Sequence, residues 1–330
     1  PTGWLIKRPE LFAVRSPNST CISALREFAS AGTPGTFDHR INDADDVTGV
    51  VRVAPIALWS DDPKEVFELA AASAALTCSN PNGYLPAGVL ATLVHQLLRG
   101  DKLADALTAS MSLLTGYAGH EETARALDVA RELASAGSPT PEQLKDRIGA
   151  GWSGHEALGI AVCAALSTEG IAPAVMLAVN HSGASDSTGA ICGNIVGALY
   201  GSSALPGLWL RDLKHREVVE TLARDVLAEF GTAPPRNNTW AERYPADRDT
   251  SDVVFTSTLL AAGGDTRTAE PSRPKPDKRG RFVGCLLGGA VGDALGHPVE
   301  NDTVEAIRQK FGPKGLTDFV DAQRPGGSIS

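Results

Sequence analysis

Residues 180–201 read NHSGASDSTGAICGNIVGALYG, a polar loop of Ser, Asp and Thr that runs straight into a Gly-rich, otherwise apolar helix. Asp186, Ser187 and Thr188 fall at the helix start, where their oxygens can face one point, and Ala184 stands two residues before Asp186. A helix mouth carries unpaired amides and a positive dipole end. Ser182 and Gly183, just ahead of it, are therefore candidates to receive an anion such as a diphosphate.

Outward from this stretch the helical period dominates. Apolar residues recur at steps of three and four through 63–77, 85–98, 121–136, 154–167 and 215–230, as amphipathic helices require. Pro63, Pro86 and Pro141 sit where a helix can begin, since proline is tolerated in a first turn. Alternating strand-like segments are scarce, so the sequence predicts an all-α, compact multi-helix body rather than an α/β sheet. Residues 1–262 are expected to form the main part of that body. Residues 263–280 (GGDTRTAEPSRPKPDKRG) have almost nothing to bury and read as a flexible linker. Residues 281–330 open with RFVGCLLGGAVGDALGHPVE and are expected to pack into the same body. Glycines at 284, 288, 289, 292 and 296 permit close backbone approach to another helix or to a ligand. A dinucleotide reading of this stretch fails, because no strand with a G-x-G-x-x-G turn leads into it.

Composition narrows the classes. The chain has 330 residues, 42% hydrophobic and 5% aromatic, enough for a large core of Ala, Leu, Val and Ile. A net charge of -9 argues against nucleic acid as a partner, since phosphate-backbone binders carry a basic face. Five cysteines lie scattered without CxxC spacing, which suggests neither a disulfide framework nor a zinc site and points to a reducing cytoplasm. No apolar run reaches the length of about 18 residues of a membrane span, and no membrane association is expected. The opening PTGWLIKRPELF lacks an initiator Met and reads as a cut boundary.

Several motifs agree on one resemblance. RFVGCLLGGAVGDALGHPVE resembles the opening helix of the ADP-ribosylglycohydrolase family, and 180–209 resembles its late metal motif, G-D-x-D-[ST] followed by a small-residue helix and Pro-x-x-Trp. VVRVAPIALW at 50–59 and AAASAALTCSNPNGYLPAG at 70–88 resemble the family's R-V-A-P and A-L-T-H-x-x-P-x-G segments. The order differs from the family's: the GDALG helix lies behind the linker, so the chain reads as circularly permuted. GGSIS at 326–330 resembles the approach to the early metal motif [ST]-D-D-T, with Ser330 as its first residue.

The resemblance implies an all-α fold and a two-ion Mg²⁺ site of Asp carboxylates and Ser or Thr hydroxyls. Carried onto this chain, the metal residues are Asp186, Ser187 and Ser330, with Ala184 where a ligand aspartate belongs. Glu300 falls where the family has its catalytic glutamate, beside Asp186, and Asp293 is expected to hydrogen-bond the metal loops. Gly49 resembles a phosphate loop, together with Ser182 and Gly183. Two departures stand out: DADDVTG at 43–49 puts three aspartates where a diphosphate would approach, and Cys78 replaces a histidine. Cys78, His120 and His181 read as packing or surface residues. The implied activity is Mg²⁺-dependent hydrolysis of the glycosidic bond between ADP-ribose and a modified protein side chain or related compound, impaired by Ala184. The alternative is a non-catalytic member that binds ADP-ribose or serves structurally. Ala184 favours the second; the GDALG helix, Glu300 and Asp186 favour the first.

Overall fold

The computed structural model describes residues 3–12, 18–245 and 277–320. In chain order its helices are Ser19–Ala31 (α1), Pro63–Ala75 (α2), Pro81–Leu98 (α3), Leu103–Leu114 (α4), Glu121–Ser135 (α5), Pro141–Arg147 (α6) and Gly154–Ser167 (α7). There follow Ile171–Val179 (α8), Ser185–Tyr200 (α9), Gly207–Asp212 (α10), Arg216–Glu229 (α11), Asn238–Arg243 (α12), Lys278–Gly296 (α13) and Val304–Phe311 (α14). Among the described residues there is no strand, only an isolated bridge between Asp46 and Ser153.

Local chemistry explains where the helices start. Asp62 accepts from Lys64 N ahead of Pro63, and Thr140 and Gln143 form a reciprocal capping box around Pro141, each satisfying amides that a first turn leaves unpaired. Pro86 corrects the sequence reading. It lies inside α3, which begins a turn earlier at Pro81 because the Asn80 side chain caps Asn82 N. The fully buried Leu85, Leu90, Leu93 and Leu97 continue across the proline and hold the helix against the core.

The centre of the body is the antiparallel pair α9 and α13, which run unusually close. Gly189, Gly193 and Gly197 face Gly292, Gly288 and Gly284, and a Cβ built on any of these six would overlap backbone of the facing helix or its flanking turn. Only glycine permits such contact, which brings Cα–H groups against facing carbonyls. Asn194 spans the pair, its Nδ2 donating to Cys285 O at 2.8 Å. Around this seam pack α3, α7 and α8 on one side and α11 on the other. Lys278–Val299 has the length and mean hydropathy of a bilayer span, although Arg281 and Asp293 interrupt its apolar run. Its apolar face, with Phe282, Cys285, Val291 and Leu295, is buried within the bundle.

The chain beyond α13 is fastened to the loop before α9. Asn180 donates through Nδ2 to Leu316 O at 2.9 Å and accepts at Oδ1 from Leu316 N at 2.7 Å. Val304 N donates to Ser182 Oγ at 2.9 Å, and Asn301 N to Gly183 O at 3.2 Å. α13 begins at Lys278, capped by Asp277, so its first turn occupies the end of the stretch read as linker. The rest of that stretch, 263–276, and the GGSIS segment with Ser330 lie outside the described residues.

Candidate functional site

α9 opens on an uncapped N-terminus: Ala184 holds the N-cap position, 1% exposed, and supplies no side-chain acceptor. Asp186 follows in the first turn, buried, with Oδ1 accepting from Ser187 N at 2.6 Å. A carboxylate there complements the helix dipole. At the same end of the seam α13 stops at Gly296, and the 3-10 turn His297–Val299 leads into Glu300. A Cβ at 296 would collide with Ser185 O and Asp186 N, so the glycine lets the end of one helix touch the start of the other.

That contact assembles the site. Asp186, His297 and Glu300 bring their ligand atoms within 4.8 Å of one another. His297 Nδ1 lies 3.9 Å from Glu300 Oε2, and this nitrogen is buried with no hydrogen-bond partner among the described residues. Burial, and then the charge of Asp186, push the Glu300 carboxyl above the usual carboxylate range, as desolvation and a like charge both must. Asn301 follows in left-handed backbone at φ 68°, a conformation Asn tolerates better than most residues.

A second loop braces the helix mouth. Ala184 N donates to Ala150 O at 3.0 Å, and Gly183, at φ 137°, passes so near Ala150 that a Cβ would overlap its carbonyl. Glu156 accepts from Gly151 N at 3.1 Å and holds that loop to α7. His181 is fully buried, with Nε2 2.8 Å from Thr188 Oγ1, and burial lowers its pKa to about 4. It is a neutral packing residue.

The structure thus unites Asp186 and Glu300 and sorts the other sequence candidates around them. Ser187 neighbours Asp186, and Asp293 is buried one turn before the end of α13. Ser182 already uses its hydroxyl to accept from α14, and Gly183 answers a backbone constraint. Gly49 has its nearest neighbours in Ala74 of α2 and Gly83 of α3, with a hypothetical Cβ 2.9 Å from Ala74 Cβ, so its lack of a side chain serves helix packing. Two of the three aspartates of 43–49 have local side-chain partners. Asp43 pairs with Arg40 at 3.0 Å, and Asp46 caps Thr48 N and accepts from the Cys78 thiol at 3.4 Å. Burial pushes Cys78 up to about 11, which removes it as a nucleophile at neutral pH. Sequence reasoning missed His297. Its signal was the i, i+3 spacing to Glu300 in HPVE, since a 3-10 turn eclipses positions three apart.

The sequence matches the ADP-ribosylglycohydrolase family model over residues 3–236 and 274–330. The chain belongs to the ADP-ribosylglycohydrolase family. Comparison with curated proteins gives no match. Both segments that build the Asp186 centre of this family member fall within the matched regions. Membership places the chain in a family of hydrolases, and the cluster offers a group able to hold a cation. Two cavities, about 570 Å³ between α11 and α12 and about 150 Å³ beneath Trp59 and His95, share no lining residue with that centre.

The donor chemistry fits a divalent cation. The charge of Asp186 adds to burial in raising Glu300, and the buried His297 Nδ1 has no hydrogen-bond partner among the described residues. A cation there would offset that repulsion and engage that nitrogen.

Proposed function

We propose that this chain is a divalent-cation-dependent ADP-ribosylglycohydrolase that cleaves the glycosidic bond joining the ribose C1 of ADP-ribose to a modified protein side chain or a related ADP-ribosyl compound. The observation that carries the reading is the meeting of Asp186 and Glu300, from segments far apart in the sequence, at one point of a family member. Asp186, Glu300 and His297 would hold the cation, with Mg²⁺ the ion the family resemblance implies. When bound, such an ion orients water and the ribose hydroxyls and offsets developing charge.

The chain's own groups have separable parts in this reading. Glu300 is partly buried and its carboxyl is raised by that burial and then by the charge of Asp186, the direction that suits a group holding a water by hydrogen bond and exchanging a proton with it. Asp186 stays beside it as the charge that favours an oxocarbenium-like ribose. Ala184 weakens the site by omitting one carboxylate, and this favours a second reading, in which the chain binds ADP-ribose without cleaving it.

Release of ADP-ribose from an ADP-ribosylated protein, with and without Mg²⁺, tests both readings. Glu300→Gln is expected to lower the rate by about 10² to 10⁴-fold, the usual contribution of a general acid or base. Equal rates in the variant and the parent would remove Glu300 from the chemistry. Calorimetric binding of ADP-ribose without any release would select the second reading.

A further inference from the structure

The geometry points to His297 as a cation ligand that takes over from the carboxylate missing at 184, giving a mixed nitrogen and oxygen site that prefers a borderline transition ion such as Co²⁺ or Zn²⁺ to Mg²⁺. The inference rests on the reading of this centre as a cation site, though not on hydrolysis itself. Its first support is placement. His297 and Glu300 leave the end of α13 three residues apart and meet Asp186 from the start of α9, with the three ligand atoms within 4.8 Å. Two donors bonded to one cation at about 2.1 Å lie within about 4.2 Å of each other, so the cluster closes by a contraction of at most about 0.6 Å. Side-chain adjustment of the partly exposed His297 and Glu300 can supply that movement.

The second support is the unsatisfied nitrogen. His297 Nδ1 is buried without a hydrogen-bond partner among the described residues, and such a group calls for an explanation. A neutral imidazole has one lone pair to offer, and a cation shared with Asp186 and Glu300 would engage it. The third is the donor count. Mg²⁺ demands near-octahedral oxygen ligands, yet Ala184, at the N-cap of α9 and 1% exposed, contributes none. Imidazole shifts selectivity toward Zn²⁺, Co²⁺ and their neighbours in the transition series.

Isothermal titration of the metal-free full chain with CoCl₂, ZnCl₂ and MgCl₂ tests this, with Co²⁺ absorbance reporting nitrogen ligation independently of activity. The parent is expected to bind Co²⁺ at least about tenfold more tightly than Mg²⁺. His297→Ala should lose about 10 to 100-fold in Co²⁺ and Zn²⁺ affinity and change its Co²⁺ spectrum, with Mg²⁺ affinity within about threefold of the parent. Should that variant melt early by circular dichroism, His297→Asn keeps a similar size and replaces the ring nitrogen by an amide, and the same losses are expected. Ala184→Asp should raise Mg²⁺ affinity by about tenfold. Unchanged Co²⁺ affinity in both His297 variants, Mg²⁺ binding as tight as Co²⁺, or no heat with any ion up to millimolar concentration would each overturn the inference. ADP-ribose release in a chain whose Co²⁺ affinity ignores His297 would overturn this inference alone. Co²⁺ binding that depends on His297 in a chain releasing no ADP-ribose would uphold it and overturn the hydrolase reading.

Discussion

Adding one methyl group at the centre of the α9–α13 seam should damage the protein more than its size suggests. A Cβ at position 193 would fall closer than 2.5 Å to Gly288 O and 2.9 Å from Gly289 N, whereas ordinary contact begins near 3.4 Å. The shortfall is at least 3.4 − 2.5 = 0.9 Å, and both obstacles are backbone, which has no rotamer to turn away. Gly193→Ala therefore forces the helices apart, and a radial gap of about 0.5–1 Å forfeits a quarter to a half of each dispersion contact. Overpacking typically costs about 1–3 kcal/mol and occasionally more; with backbone on both sides, about 4 kcal/mol is expected here. Replacing Gly by Ala in a helix returns about 1 kcal/mol. The net loss of about 3 kcal/mol corresponds to a Tm drop of about 4 °C in a chain of this size, at about 2.1 cal/mol/K of unfolding entropy per residue. Gly207→Ala is the control, since nothing lies within 4 Å of a Cβ there, and it should melt within about 2 °C of the parent. Differential scanning calorimetry of both variants decides the matter. If Gly193→Ala melts with the control, the helices are not in the contact described and the reasoning falls.

His181, held near pKa 4 against 6.5 for the free side chain, binds its proton more readily when the chain unfolds. Its stabilising contribution is present above pH 6.5 and is lost as pH falls toward 4. Urea titrations at pH 7 and pH 5 should show the parent losing about 2 kcal/mol more than His181→Gln over that interval; equal losses would contradict the buried neutral ring. Asn180→Ala removes both bonds to the Leu316 backbone and should cost about 3 kcal/mol. Faster amide exchange at Leu316 is expected with it, and unchanged exchange would show that the fastening lies elsewhere. Burial pushes Cys78 up to about 11 and Cys163 up to about 12, and Cys192 and Cys285 higher still. Alkylation of the native chain at pH 8 should therefore label Cys21 first, while the denatured chain labels all five; equal native rates would refute the burial of the other four.

The helices rich in regularly spaced apolar residues were legible from the sequence. The stretch 154–167 is observed as Gly154–Ser167 and 121–136 as Glu121–Ser135; neither first turn has a side-chain cap, so apolar content carried both readings. α3 was misjudged at its start, since Pro86 offers an apparent beginning while the Asn80 cap, which decides the matter, lies outside the apolar period. Asp186 and Glu300 were named through family motifs, and their encounter is a tertiary fact that no local pattern contains. His297 escaped notice because its chemistry comes from a buried Nδ1 with no hydrogen-bond partner among the described residues and from Asp186 across the seam, neither of which is a property of HPVE alone. Gly49 shows the converse: a glycine in a motif-like setting can owe its identity to a neighbouring helix, here Ala74 at its surface.

A glycine every fourth residue on both helices has a further consequence: the interlock repeats under translation. Sliding α13 by four positions would set Gly193 against Gly292 and Gly189 against Gly296, as smooth a fit as the native one, while carrying Glu300 about 6 Å along the axis from Asp186. Spacing alone leaves these alignments degenerate. Asn194 breaks the degeneracy, because its amide reaches Cys285 O and nests over Gly289, where a Cβ would strike it. Four positions along, it would meet a different carbonyl and a side chain in place of that hollow. A single buried amide thereby acts as an index mark, much as one Asn fixes alignment in a coiled coil, and it does so eight residues along α9 from Asp186, the carboxylate against which it sets Glu300.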